Sequence, residues 1–332
     1  RTFHISGDEK ITPSHRQIKP NHLQAPLPED LSILRKPVEV VSATFKDHGD
    51  NLWVGYRNSG FQVISQNRIA YKKANDNPLA KATKGMAMLC MTAVGNHLLA
   101  GTALRVFIYD LQNRRIGQIP FRNIFDSVPA PQKINLNNIV KYDDEHAWMV
   151  SGHQVASCRI SDECADVLHK SPVLKSLLGY GLKVGDALYV CSEGGKLLRF
   201  RFDNLQPDTI PVPSAYYDHE TKMEKLADGN ILLFMQGMHL AILSPKTGKI
   251  KEMKVAGMPE YGNFDPAFAK LDSYGMVWLG TKRDGLYLID MKRKSMRSAK
   301  VLNDTHIEGM VEDRNRQLWV TTMRVTKKAS RM

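Results

Sequence analysis

The 332-residue chain is 42% hydrophobic and 24% charged, with 23 Gly, 16 Pro, 4 Cys and a formal net charge of +12. This is ordinary globular composition, which excludes a disordered chain, a collagen and a disulfide-dense mini-protein. Its longest apolar stretches, Met86–Val94 and Ile231–Met235, fall far short of the ~18 residues that a membrane helix needs.

The chain opens on Arg1 with no charged-then-apolar leader, which reads as a processed or excised piece with any export signal or anchor outside it. Arg1–Ser6, a Gly7-Asp8-Glu9 turn and Lys10-Ile11-Thr12 then read as a short strand pair. Residues Pro13–Pro37 are a Pro-punctuated connector.

From residue 38 onward a unit recurs. Its clearest copy is Asp47-His48-Gly49-Asp50-Asn51-Leu52-Trp53-Val54-Gly55 followed by Asn58-Ser59-Gly60-Phe61-Gln62-Val63-Ile64. Weaker copies follow at Gly95–Thr102, Glu145–Val150, Gly185–Val190 and Asp228–Leu233. Strong copies return at Asp272–Thr281 with Asp284–Asp290, and at Glu312–Thr321. The tryptophan-equivalent positions are 53, 99, 148, 189, 232, 278 and 319, a mean spacing of about 44 residues. That is the span of four short strands, which the turn residues between apolar runs favour over a two-helix repeat.

In the fifth copy the strands read as Met223–Leu226, Asn230–Met235, His239–Leu243 and Lys249–Lys254. In the sixth they read as Phe268–Asp272, Met276–Thr281, Gly285–Asp290 and Met296–Val301. The second strand of most copies is apolar on both faces, as in Ile231-Leu232-Leu233-Phe234, whereas a half-exposed strand would alternate. The expected fold is therefore all-β, a seven-bladed β-propeller of four-stranded antiparallel blades, in one domain over 1–332 with the repeats at 38–322. The seventh copy supplies only two strands before the chain turns polar and basic. Residues 1–12 are expected to donate its outer pair and close the ring.

Charge and cysteine say less. Residues 282–332 hold 13 basic and 6 acidic side chains, so +7 of the net charge lies there. A basic face suits nucleic acid, anionic lipid or an acidic polymer, but without a motif it reads first as solvated surface, and no nucleic-acid partner is expected. Cys90 and Cys191 sit in apolar runs and read as buried thiols. Cys158 and Cys164 flank a short turn, where a disulfide and two free thiols both remain open. No Cys-x-x-Cys or His pairing at zinc spacing occurs, and Gly179–Gly185 has the wrong spacing for a dinucleotide loop. No metal, cofactor or catalytic residue is expected. No Gly-x-Ser-x-Gly elbow or His-Glu-x-x-His occurs, and Glu224, Asp265, Glu308 and Asn138, the carboxylates and amide that an axial metal would need, share no register in the repeat.

The signature Gly/Asn-x-Leu-Trp-Val-Gly-(Thr/Tyr)…Gly-(Leu/Phe)-x-x-Ile resembles the two-component regulator propeller repeat, strongly at Leu52–Gly60, Val277–Gly285 and Leu318–Thr321 and weakly in the four middle copies. The resemblance implies the extracytoplasmic, periplasmic sensor region of an inner-membrane hybrid two-component histidine kinase, with an oligosaccharide ligand. It implies neighbouring domains of the same receptor as partners, with a homodimer left open. No kinase, receiver or helix-turn-helix pattern lies in this chain. A non-catalytic protein-interaction scaffold, or a periplasmic lyase or lactonase, are the alternative readings.

Propeller ligands gather where second strands turn into third strands and where blades connect. The former turns offer Tyr56, Arg57, Asn58, His153, Glu193, His239, Lys282, Arg283 and Asp284, and the connections offer Tyr216, Tyr217 and Tyr261. Phe121, Phe125 and Phe264 look exposed beside them. Aromatic faces stack on sugar C–H faces, and planar polar groups bind hydroxyls. For an acidic sugar, Arg57, Lys282 and Arg283 are the expected partners. The repeat tryptophans are expected in the core.

Overall fold

The computed structural model describes residues 2–5, 11–13, 41–46, 52–56, 60–64, 77–127, 136–259, 265–299, 305–312 and 318–324. It is an all-β fold of antiparallel sheets, mostly four-stranded. Strands β1 (Thr2–Ile5) and β2 (Ile11–Pro13) open the chain. Next come β3 (Val41–Lys46), β4 (Leu52–Tyr56) and β5 (Gly60–Ile64), the described strands of the first repeat. The second repeat forms β6 (Met88–Val94), β7 (His97–Thr102), β8 (Arg105–Asp110) and β9 (Ile116–Pro120). The third forms β10 (Leu136–Lys141), β11 (His146–Ser151), β12 (Val155–Ile160) and β13 (Ala165–Lys170). The fourth forms β14 (Leu178–Val184), β15 (Ala187–Ser192), β16 (Lys196–Arg201) and β17 (Asp208–Pro211). The fifth forms β18 (Lys222–Lys225), β19 (Ile231–Phe234), β20 (Leu240–Leu243) and β21 (Ile250–Glu252). The sixth forms β22 (Pro266–Leu271), β23 (Met276–Thr281), β24 (Leu286–Asp290) and β25 (Ser295–Ser298). The last two strands are β26 (Thr305–Glu312) and β27 (Leu318–Arg324).

Within a repeat each strand pairs with the next in sequence. The exception is the sheet ordered β2-β1-β27-β26, which joins the two ends of the chain. There Phe3 pairs with Val320, His4 with Trp319 and Ile5 with Leu318. The first strands of successive sheets touch one another in chain order from β3 to β26, and β26 touches β3. The connector at Pro13–Pro37 lies, apart from Pro13, outside the described residues.

The doubly apolar second strands have a direct physical reason. Along β19, Ile231 and Leu233 pack with Tyr189, Cys191 and Leu197 of the fourth sheet. The alternate residues, Leu232 and Phe234, pack with Val277, Leu279 and Ile289 of the sixth. Successive side chains of a strand point to opposite faces, so a strand with a sheet on each side must be apolar at every position. Burying one such Leu or Phe contributes about 1.5–3 kcal/mol. The same sharing repeats between the sheets of Trp53 and Phe107, of Trp148 and Leu188, and of Trp278 and Ile307. Trp53, Trp148 and Trp278 are all at most 5% exposed.

The first strands carry a repeated irregularity. A one-residue register shift interrupts β3, β6, β10, β14, β22 and β26 near the start of each strand, the end where the second strand turns into the third. A β-bulge bends its strand and re-aims a side chain. At β14 the shift falls between Leu178 and Gly181 and contains Tyr180, which is 46% exposed.

Cys158 and Cys164 are free thiols, as are Cys90 and Cys191. The register explains the missing bond: Cys158 faces Val167 across the hairpin, while Cys164 sits in the exposed turn, its carbonyl accepting from Ser161 N. Among the described residues no helix is long and apolar enough to cross a membrane.

Candidate functional site

The turns and connections that carry the expected site do not behave alike. Tyr56 is described only in its backbone, and Arg57, Asn58, Tyr261 and Phe264 lie outside the described residues. His153 is buried: its N–H donates to Ser151 Oγ, and Nδ1 is 3.1 Å from the Leu174 carbonyl. That side chain ties the β11–β12 turn to the connection that follows the sheet, so it faces no solvent. Phe121 and Phe125 are also buried, packed edge to face at 6.1 Å in the core shared by the second and third sheets. Tyr217 is buried too, its hydroxyl donating to Lys196 O at 2.8 Å and accepting from Ser192 N. Burial raises its pKa, so it is a neutral pin for its own loop. These four lie in the expected turns and connections, but as anchors of those loops rather than as exposed groups.

The remaining expected residues concentrate around the connection from β17 to β18, residues 212–221. Asp218 organises it. Its Oδ1 accepts from Glu220 N (2.8 Å) and Thr221 N (3.1 Å), an Asx-type turn. Its Oδ2 accepts from Gln236 Nε2 at 2.7 Å, and Gln236 N donates to Tyr216 O. The β19–β20 turn is thereby fastened to the connection. That turn, Gln236–His239, has positive φ at both central residues, Gly237 (64°) and Met238 (64°). Gly accepts this conformation freely, but a bulky buried Met does not, and such strain collects at ligand sites. The consequence is the placement of His239. Its imidazole stacks on Tyr216, ring centroids 3.4 Å apart and planes 10° apart. Tyr216 is still 48% exposed, so the ring is backed on one face and presented to solvent.

The same connection gathers polar groups from three sheets. Lys282, from the β23–β24 turn, donates to Glu220 Oε2 at 2.5 Å, and this bond is the main reason that the Glu220 carboxyl lies below its ordinary value. Glu193, from the β15–β16 turn, accepts from Leu177 N and lies 3.7 Å from His219 Nδ1. Arg283 is exposed, and Asp284 caps its own turn through a bond from its N–H to Thr281 Oγ1. Lys222, the first residue of β18, sets its Nζ 4.1 Å from the centre of the Tyr180 ring. Gly179 makes that approach feasible: a Cβ there would fall 1.7 Å from the His219 carbonyl oxygen.

The site therefore unites Glu193, Tyr216, His239 and Lys282, and Gln236 of the same expected turn as His239, with Tyr180, Asp218, Glu220 and Lys222, which sequence reasoning missed. The missed signal is Gly179-Tyr180-Gly181. Two small residues around an aromatic in a first strand mark a bulge. At the other end of the sheets, His97, Asp110 and Asp162 bring their ligand-type atoms within 4.8 Å of one another. Asp110 there already accepts from Gln112 N, Asn113 N and Asn113 Nδ2, which makes it a turn anchor.

No family model and no curated protein matches the chain. Solved structures do. The extracellular domain of BT4673 from B. thetaiotaomicron, named as a hybrid two-component system, is similar with a TM-score of 0.63 at 15% identity, over 88% of this chain and 39% of that one. The corresponding domain of BT3049 gives 0.60 at 13%, over 86% and 39%. A virginiamycin B lyase from Staphylococcus aureus, crystallised with quinupristin, gives 0.62 at 11%, over 87% and 97%. The chain thus spans about two fifths of the two receptor ectodomains. These likenesses establish a propeller-type fold, which the WD40 domain of Sif2 and YCF48 bound to D1 peptide also resemble.

Proposed function

We propose that the chain is a seven-bladed propeller closed by its N-terminal strands, and that it serves as the periplasmic, oligosaccharide-sensing part of a hybrid two-component receptor. The strand order β2-β1-β27-β26 and the return contact of β26 with β3 support the closure. The similarity to two receptor ectodomains supports the sensor reading. The observation that carries the ligand class is Tyr216 stacked on His239, a backed aromatic face on the same connection that links Asp218 to Gln236, Glu220 to Lys282 and His219 to Glu193. A sugar places its C–H face on such a ring and its hydroxyls on the planar polar groups. The ligand acts by favouring one packing of this propeller against neighbouring receptor domains or a second copy. It can do so only through unequal affinity for the two arrangements.

A glycan array followed by calorimetry tests this. The wild-type chain should bind at least one oligosaccharide, and Tyr216→Ala should weaken it at least tenfold, about 1.4 kcal/mol, with the thermal midpoint unchanged. Absence of any glycan binding, or equal binding by the variant, contradicts it. A second reading, a protein-interaction scaffold, draws on Leu104, Val173 and Leu177, exposed at the same end of the sheets, and on the peptide-bound neighbour. Peptide capture in place of glycan binding would favour it.

A further inference from the structure

The charges of this site do not cancel pairwise. Lys282 is neutralised by Glu220, as Lys270 is by Glu224 and Lys170 by Asp126. Lys222 is different. Its partly buried ammonium lies over the Tyr180 ring and makes no ion pair and no side-chain hydrogen bond among the described residues. The nearby anions are already committed. Asp218 keeps its charge but turns both oxygens to three neutral N–H donors, and Glu220 holds Lys282. Cys191 contributes no charge, because burial pushes its thiol up to about 12. A cation withdrawn from water is costly unless an anion and hydrogen-bond acceptors replace the lost solvent. A cation–π contact of about 0.5–2 kcal/mol offsets only part of that cost.

On the oligosaccharide reading above, we propose that Lys222 is the residue that selects an acidic sugar, taking a monoanionic substituent, a uronate carboxylate or a sulfate ester, beside the Tyr216 platform. One unpaired ammonium balances one negative charge. A dianionic phosphate would face the carboxylates of Glu220 and Asp218 with a single cation to meet it. Tyr180, 46% exposed beneath the ammonium, forms the apolar floor along which the acidic ring lies. This moves the recognition of acid from Arg57, Lys282 and Arg283, where the sequence suggested it, to the strand residue Lys222.

The test uses matched probes on an array and then in calorimetry: uronate oligosaccharides with their methyl-esterified forms, and sulfated oligosaccharides with their desulfated parents. The wild-type chain should bind an acidic member at least tenfold more tightly than its neutral match, and the pair that responds identifies carboxylate or sulfate. Lys222→Met should abolish that preference while leaving the neutral match within twofold, and Lys222→Arg should retain it. Tyr216→Ala should weaken both members. Equal loss of both members in Lys222→Met would assign the lysine a merely structural role and overturn the proposal. Binding of neutral glycans alone would also overturn it while leaving the sugar-sensor reading intact. Absence of all glycan binding would end both. Thermal unfolding of Lys222→Met controls for folding.

Discussion

The indole Nε1 of Trp278 donates to Asp272 Oδ2 at 2.8 Å, inside the sixth sheet. The other oxygen of the same carboxylate accepts from Tyr274 N and Met276 N, so one side chain holds both the turn and the core tryptophan. The spacing of six residues recurs in sequence at Asp47 with Trp53 and Asp313 with Trp319. In the third repeat the position is Tyr142, whose ring meets Trp148 edge-on at 4.9 Å, and there Trp148 Nε1 is buried with no hydrogen-bond partner. Replacing Asp272 by Ala should orphan a buried donor and destabilise the fold by about 2–3 kcal/mol. Denaturant unfolding should show the loss, Asp272→Asn should recover part of it, and glycan affinity should not change.

Gly179→Ala should act on the site and the fold together. The added methyl would meet the His219 carbonyl oxygen at 1.7 Å, and backbone must move to admit it. Such overpacking costs about 1–3 kcal/mol. Because the displaced segment leads directly into Glu220 and Lys222, ligand affinity should fall as well. Gly248→Ala, at a turn glycine with φ of 68° and open space around its Cβ, should cost stability alone.

The four thiols should divide three to one. Cys90, Cys158 and Cys191 are buried, with pKa values pushed up to about 12 by desolvation, and Cys164 is exposed. Thiolate is the reactive form. A thiol reagent should therefore label one cysteine in the native chain and four after unfolding, and a reducing agent should leave the thermal midpoint unchanged. Two unreactive cysteines that become labelled only after reduction would indicate a Cys158–Cys164 bond.

Lys222 fixes the sign of a pH effect. Burial takes its pKa down to about 8 from an ordinary 10.5, with the Cys191, Lys282, Glu220 and Asp218 side chains and the Tyr180 ring as its neighbours. Between those values the unfolded chain binds more protons than the folded one, so this residue's contribution to stability rises with pH across that window. Lys222→Met should be the more stable protein near neutrality, and its advantage should shrink toward pH 10.5. Binding of an acidic glycan should weaken as pH climbs through about 8, while binding of its neutral match should not. Calorimetry at several pH values reads both.

Most of the fold was legible because the repeat carries its own register. The expected strands Asn230–Met235 and Met276–Thr281 correspond to Ile231–Phe234 and Met276–Thr281, and the tryptophan-equivalent residues all fall on second strands. The pairing of residues 2–5 with β27 was legible from the two outer strands that the last repeat lacked. The site was legible only in part. Sequence located the turns of Glu193, His239 and Lys282 and the connection of Tyr216. It could not separate Tyr216 from Tyr217, adjacent residues of one type, because burial of the second depends on Lys196 O and Ser192 N in a distant turn. It passed over Tyr180 and Lys222 because both lie in first strands, where a bulge and a neighbouring loop decide which side chains reach solvent.

Hydrogen–deuterium exchange with and without a saturating glycan locates the sensing surface on the chain. If this end of the fourth to sixth sheets is the sensing surface, protection should appear together in residues 176–181, 192–196, 212–222 and 236–239, with the opposite turns at 95–97, 143–146 and 185–186 unaltered. Protection confined to those opposite turns would place the ligand at the other end of the sheets.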